Sequence, residues 1–194
     1  MRRLCVFCGS STGRDTVYTD AARRFGAALA ARGLGLVYGA GNIGLMGVLA
    51  DAALASGAEV IGVIPRALVE RELAHARLTR LHVVDTMHER KALMADLSDA
   101  FAALPGGFGT GDELFEILTW AQLGLHDKPI GLLNVAGYFD ALLAWLDHMV
   151  DESFLRPEHR ALLLTRSEPD ALLDLLLHHR AASRPEKWIT STDR

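Results

Sequence analysis

Apolar positions along this chain fall into two alternating patterns. Short, mostly apolar runs occur at 3–8, 36–38, 59–64, 82–84, 100–103, 130–133 and around 162–164. They are strand-length and lack the in–out alternation of a half-exposed sheet, so they are predicted to be strands covered on both faces. The stretches between them have helical spacing. Residues 15–32 put Ala22, Phe25, Leu29 and Ala30 on one side and stop at Gly33, and further helices are predicted over 45–56, 87–97, from Leu114, over 138–152 and over 169–179. Residues 66–80 are charged and irregular. Strand–helix alternation of this kind predicts an α/β fold, a single-domain three-layer sandwich with a mostly parallel sheet of about seven strands. The domain is expected over 1–181, followed by a loosely ordered polar tail over 182–194 that Trp188 could anchor.

Ligands in such folds bind at the carboxyl ends of the strands, and glycine-rich turns begin there at Gly9, Gly39 and Gly106. The run Leu104-Pro105-Gly106-Gly107-Phe108-Gly109-Thr110-Gly111-Asp112-Glu113 reads as strand, turn and helix. Its glycines allow backbone N–H groups to approach a ligand closely, and the positive end of the following helix dipole favours an anion. Glu113 is then a carboxylate beside a phosphate seat. Thr110-x-x-Glu113 also matches a capping box, with Thr110 at the N-cap. Both readings stand on the sequence.

Gly39-Ala40-Gly41-Asn42-Ile43-Gly44 is a literal G-x-G-x-x-G. A dinucleotide site needs an acid at the end of the next strand, but that strand ends in Pro65-Arg66. NAD is therefore disfavoured, and Gly41 and Gly44, with Gly9 and Ser10, are better read as a secondary rim of a nucleotide pocket. Met87-His88-Glu89-Arg90-Lys91 opens a helix directly after a strand. Glu89 suits a solvated helix start, whereas cations oppose the dipole there, which points to an anion held near Arg90 and Lys91. A guanidinium also grips phosphate in a forked geometry.

Composition narrows the function classes. The formal net charge of −4 gives no basic footprint for nucleic acid. No apolar stretch reaches membrane-spanning length and the start lacks a signal-peptide pattern, so a cytoplasmic location is expected. The C-x-x-C at Cys5 and Cys8 lies on a strand, where residues three apart face opposite ways; buried small side chains fit better than a redox pair. The histidines show no metal-ligand spacing, and no metal is expected.

Pro105-Gly106-Gly107-x-Gly109-Thr110-x-x-Glu113, joined to Met87-x-x-Arg90-Lys91, resembles the Lonely Guy family of cytokinin riboside 5′-monophosphate phosphoribohydrolases, whose older members were often labelled lysine decarboxylases. Cys8-Gly9-Ser10-Ser11, Gly44-Leu45-Met46-Gly47, Thr119-Trp120-Ala121-Gln122-Leu123-Gly124 and Lys128-Pro129-Ile130-Gly131-Leu132-Leu133-Asn134 extend the likeness over nearly the whole chain. Gly111-Asp112 departs from it, since relatives often carry a bulkier residue followed by Glu. The resemblance implies a Rossmann-like fold, a homodimer with sites near the subunit interface, no cofactor, and hydrolysis of a nucleoside 5′-monophosphate to free base and ribose 5-phosphate. It implies that Arg90 and Glu113 are catalytic. It places Glu72, Lys91, Gly107, Phe108, Gly109, Thr110, Gly111, Asp112 and Thr119 on the substrate. The alternative is a nucleotide or cofactor carrier of the same architecture, which needs the cradle but not both Arg90 and Glu113.

Overall fold

A computed structural model describes residues 1–69 and 74–179. Strand and helix alternate as β1 (Arg3–Phe7), α1 (Thr16–Ala31), β2 (Gly35–Tyr38), α2 (Gly44–Ala55), β3 (Val60–Pro65), β4 (Arg80–Val84), α3 (Met87–Asp96), β5 (Ala100–Ala103), α4 (Phe108–Gln122), β6 (Ile130–Leu133), α5 (Asp140–Asp151), α6 (Pro157–Arg160), β7 (Leu163–Arg166) and α7 (Pro169–His178). Among the described residues the strands form one seven-stranded sheet in the order β4-β3-β2-β1-β5-β6-β7. Every pairing is parallel.

The pleat sorts side chains into two cores, one on each face of the sheet. Leu4, Val6 and Cys8 join Leu36 and Tyr38 against α1, α2 and α7. Cys5 and Phe7 join Val37, Ile61 and Val63 against α3, α4 and α5. The two cysteines therefore lie on opposite faces, both free thiols and both buried, as their strand spacing requires. On α1, Phe25 and Leu29 are completely buried, each worth roughly 1.5–3 kcal/mol of transfer free energy. Arg32, just past α1, bonds Asp170 and Asp174 at 2.9 and 2.8 Å and holds the last described helix against the first.

Several boundaries differ from expectation for local reasons. β4 begins at Arg80, ahead of its apolar run, because it is an edge strand whose Leu81 and Val83 remain 40% and 41% exposed. The helix expected over 138–152 starts at Asp140, after a 3₁₀ turn at Val135–Gly137 in which Ala136 has φ 49° and Gly137 φ 73°. A second 3₁₀ turn at Arg66–Leu68 and the four-residue α6 are too short to show a period in the sequence. Glu72, Trp188 and the tail expected over 182–194 lie outside the described residues.

Candidate functional site

Strand order reverses between β1 and β5: from β1 the chain winds outward through β2, β3 and β4, then resumes at β5 on the other side. Loops leaving two such strands turn to opposite faces and open a crevice at their carboxyl ends. Gly9 and Gly106 flank that crevice. Gly9 N–H donates to the Pro105 carbonyl at 3.0 Å, while the Gly9 carbonyl accepts from Leu45 and Met46 N–H at 3.0 and 3.3 Å. Gly44 sits at φ +63°, where a Cβ would strike the Ser10–Ser11 peptide. Three loops are thus locked together through backbone. Gly9 and Gly41 are buried, Gly44 is half-buried and Ser10 is exposed. Leu45 and Met46 spend their N–H groups on Gly9, which leaves α2 fewer donors for a pyrophosphate, a physical objection to a dinucleotide at this motif.

The helix after β5 starts earlier than the capping-box reading expects. Gly107 is the N-cap, extended at φ −96° and ψ −149°, with no side chain capping it. Thr110 lies inside α4 and is 4% exposed, packed where a Cβ on Gly106 would overlap its hydroxyl. Glu113 therefore sits in the second turn. A capping box does form, but at α3: Thr86 Oγ1 accepts from Glu89 N–H at 3.1 Å and Glu89 Oε2 accepts from Asp85 N–H at 2.9 Å. At α4 the first N–H groups, which no helix can satisfy internally, are left for other partners. An added Cβ at Gly107, Gly109 or Gly111 would meet nothing within 4 Å. No packing inside the chain demands glycine at these three positions. Phe108 is 100% exposed beside them. From the other side, Tyr138 donates its hydroxyl to the Gly106 carbonyl at 2.6 Å and pins the turn.

Arg90, on α3, is 6% exposed. Its Nη2 donates to the Gly39 carbonyl at 3.0 Å and its Nε to the Val63 carbonyl at 3.2 Å, while Nη1 has the Met87 sulfur at 3.8 Å. A thioether is a weak acceptor, so Nη1 retains donor capacity. Burial pushes both cysteine thiols well up, and the Glu113 charge pushes them further; on Cys5, Arg90 acts in the opposite direction. The Glu113 charge thus acts on both thiols and the Arg90 charge on that of Cys5. Lys91 bridges Asp112 and Glu116 at 3.0 Å each, one turn apart on α4. Burial opposes its charge, yet the bonds to Glu116 and Asp112 prevail and hold the ammonium above its ordinary pKa. The cations at the start of α3 are therefore answered in part by carbonyls and carboxylates of the protein itself, where the sequence pointed to an anion held nearby.

Arg90 and Lys91 lie on α3, and Phe108, Gly109, Thr110, Gly111, Asp112 and Glu113 on α4 behind its N-cap Gly107, with Lys91 tying the two helices together through Asp112 and Glu116. Thr119 stands apart. It is exposed, bonds the Phe115 carbonyl at 2.7 Å, and lies about 13 Å along α4 from Thr110 at the helical rise. Sequence reasoning missed Gly39, Tyr138 and Glu116. The i,i+4 spacing of Asp112 and Glu116 was a usable signal; the other two contacts are tertiary. Among the described residues no group of His, Cys, Asp and Glu is arranged to hold a metal ion.

Residues 46–176 match the model of the family described as "Possible lysine decarboxylase". A probable cytokinin riboside 5′-monophosphate phosphoribohydrolase of Oryza sativa subsp. japonica is 50% identical over 192 residues, covering 96% of this chain and 78% of its relative. The chain belongs to the Lonely Guy family. A cytokinin riboside 5′-monophosphate phosphoribohydrolase of Arabidopsis thaliana is 46% identical, over 96% of this chain and 90% of its own length. The Lonely Guy fold also matches solved structures at lower identity. A molybdenum cofactor binding protein from Rippkaea orientalis superposes with TM-score 0.70 at 20% identity, over 91% of this chain and 95% of that one. The molybdenum cofactor carrier protein of Chlamydomonas reinhardtii gives TM-score 0.68 at 18% identity, over 92% and 99%. Those likenesses establish the Rossmann-like architecture.

Proposed function

We propose that this chain hydrolyses the N-glycosidic bond of N6-substituted adenosine 5′-monophosphates, such as a cytokinin riboside 5′-monophosphate, giving free base and ribose 5-phosphate. Relatives at about half identity carry that activity in their names. The observation that carries the reading to this site is the uncapped, open glycine turn at the switch point, with Glu113 on the helix that it begins. The 5′-phosphate sits on the N–H groups at the start of α4, with Gly107, Gly109 and Gly111 giving it room. Breaking the bond to the base develops positive charge on the ribose. Glu113 stabilises that charge and takes a proton from the attacking water, whose oxygen becomes the new C1′ hydroxyl. The base leaves with the bonding electron pair and is protonated from solvent, to which Glu113 later returns its proton. Arg90 offers Nη1 to the substrate and orients it against Glu113. The remote phosphate contacts hold C1′ in place, so binding energy far from the bond serves its cleavage.

Schiff-base chemistry of a decarboxylase finds little support, because Lys91 is held by two carboxylates and Lys128 donates to the Ala95 carbonyl at 2.8 Å. The protein is proposed to act as a homodimer in the cytoplasm; among the described residues no helix is long and apolar enough to cross a membrane. Its second subunit packs on the outer face of α4 and α5, where Leu123, Leu125 and Trp145 are 40%, 69% and 48% exposed. Thr119 is on that face of α4 and reaches substrate across the interface, which accounts for its distance from its own cradle.

The test is incubation with AMP and with N6-isopentenyl-AMP, followed by chromatography for free base and ribose 5-phosphate. Turnover is expected, faster for the modified nucleotide. Glu113→Gln should lose it by at least about 100-fold, the lower range for a positioned acid–base group, while keeping the melting temperature. Heat protection by nucleotide without any turnover would return the carrier reading.

A further inference from the structure

The glycine motif after β2 spends two of its helix donors on Gly9, and its turn serves another end. Gly39 is the last residue before a strained turn: Ala40, fully buried, has φ +64° in the left-handed region that side chains rarely adopt. The strain is held by flanking bonds. The Ala40 carbonyl accepts from His75 N–H at 3.0 Å, and Gly41 bridges Ala74. What the turn achieves is visible at Gly39. Its carbonyl receives Arg90 Nη2, and a Cβ on Gly39 would overlap that same nitrogen. The other nearby group, the Met46 sulfur, would be at an ordinary 3.5 Å.

We propose that Gly39 is a positioning residue whose missing side chain and turned carbonyl form the seat of the Arg90 guanidinium. The inference rests on the catalytic reading of Arg90. Two carbonyls, from Gly39 at the end of β2 and Val63 on β3, hold the fork, and Nη1 faces the Met87 sulfur. With guanidinium and backbone in contact on one side, no side chain larger than hydrogen fits at position 39 without moving Arg90. The fold does not depend on that contact, because the group displaced is the far end of one side chain.

The test is a double-mutant cycle on the full chain. Gly39→Ala is expected to lower kcat about 100-fold, the scale of a misplacement near 1 Å, with KM for the nucleotide nearly unchanged. In an Arg90→Lys background the same substitution should cost less than about 3-fold, because the nitrogen it would strike is gone. A merely structural glycine would cost the same in both backgrounds, and equal losses overturn the proposal. Chemical rescue supplies the second measurement. Added guanidinium ion at non-denaturing concentration should restore activity to Arg90→Ala and not to Gly39→Ala/Arg90→Ala, which lacks the clash but has a methyl in the seat. Rescue of both to the same extent also overturns it. Full activity of Arg90→Lys and Arg90→Ala would instead refute the catalytic reading, a result distinct from either.

Discussion

Gly109→Ala separates the demands of the fold from those of the ligand. Gly109 is the second residue of α4, its φ is not positive, and an added Cβ would meet nothing within 4 Å. Such a substitution in a helix gains about 0.4–1 kcal/mol, chiefly by narrowing the unfolded ensemble. For a domain of this size that raises Tm by about 1–4 °C. Its effect on catalysis has the opposite sign. The new methyl stands in the space through which a phosphate oxygen approaches the N–H groups at the start of α4. Losing one hydrogen bond to a charged group costs about 1.5–3 kcal/mol, or about 10- to 150-fold in kcat/KM. Differential scanning calorimetry and initial rates on N6-isopentenyl-AMP measure the two effects on one preparation. A more stable and much slower enzyme is expected. Rates within 3-fold of the parent would refute the cradle, and a lowered Tm would refute the claim that no packing requires this glycine.

The Lys91 pairs give a second expectation. Asp112 is 60% exposed; on the proposal that the Lys91 ammonium contacts substrate, Asp112→Asn frees it and should lower KM by about two- to five-fold, the worth of an exposed pair, with kcat unchanged; a raised KM would mean that Asp112 itself binds substrate. The pH dependence of stability should carry a signature of His126. Its Nδ1 accepts from Lys128 N–H at 3.2 Å and its Nε2 faces the Ile117 carbonyl at 3.0 Å, an arrangement that needs the neutral ring with its proton on Nε2. Burial holds its pKa below the ordinary value, so the unfolded chain takes up the proton first. Stability is therefore complete above about pH 6.5, the unfolded histidine value, and is lost as pH falls through the folded one. Urea melts at pH 7.5 and 5.5 should show the loss in the parent and a flatter profile in His126→Gln; equal slopes would dismiss the assignment.

How much of this was legible beforehand depended on how local each cause was. Continuous apolar runs such as Val60-Ile61-Gly62-Val63-Ile64 announce a doubly covered parallel strand, and Cys5 with Cys8 announces opposite faces, because pleating is local geometry. Arg90 and Glu113 were legible as residue types at motif spacing. The environment of Arg90 was not: the Gly39 and Val63 carbonyls that hold it come from two other strands. The start of α4 was misjudged because Thr110-x-x-Glu113 fits a capping box in isolation, whereas in the fold Gly107 takes the N-cap and buries Thr110. Likewise the real box at Thr86 and Glu89 looked like an ordinary charged helix start.

The bond from Gly9 to Pro105 joins the first strand to the fifth, and this fixes when the crevice comes into being. Everything from β1 through β4 is synthesised before β5 exists, so the growing chain holds half of a binding site for much of its time on the ribosome. Only when α4 has emerged and docked do the two walls meet. A nucleotide seated there spans early-made and late-made halves, and it stabilises the whole fold by RT ln(1 + [L]/Kd). The substrate thus recognises, in effect, a chain that has finished folding.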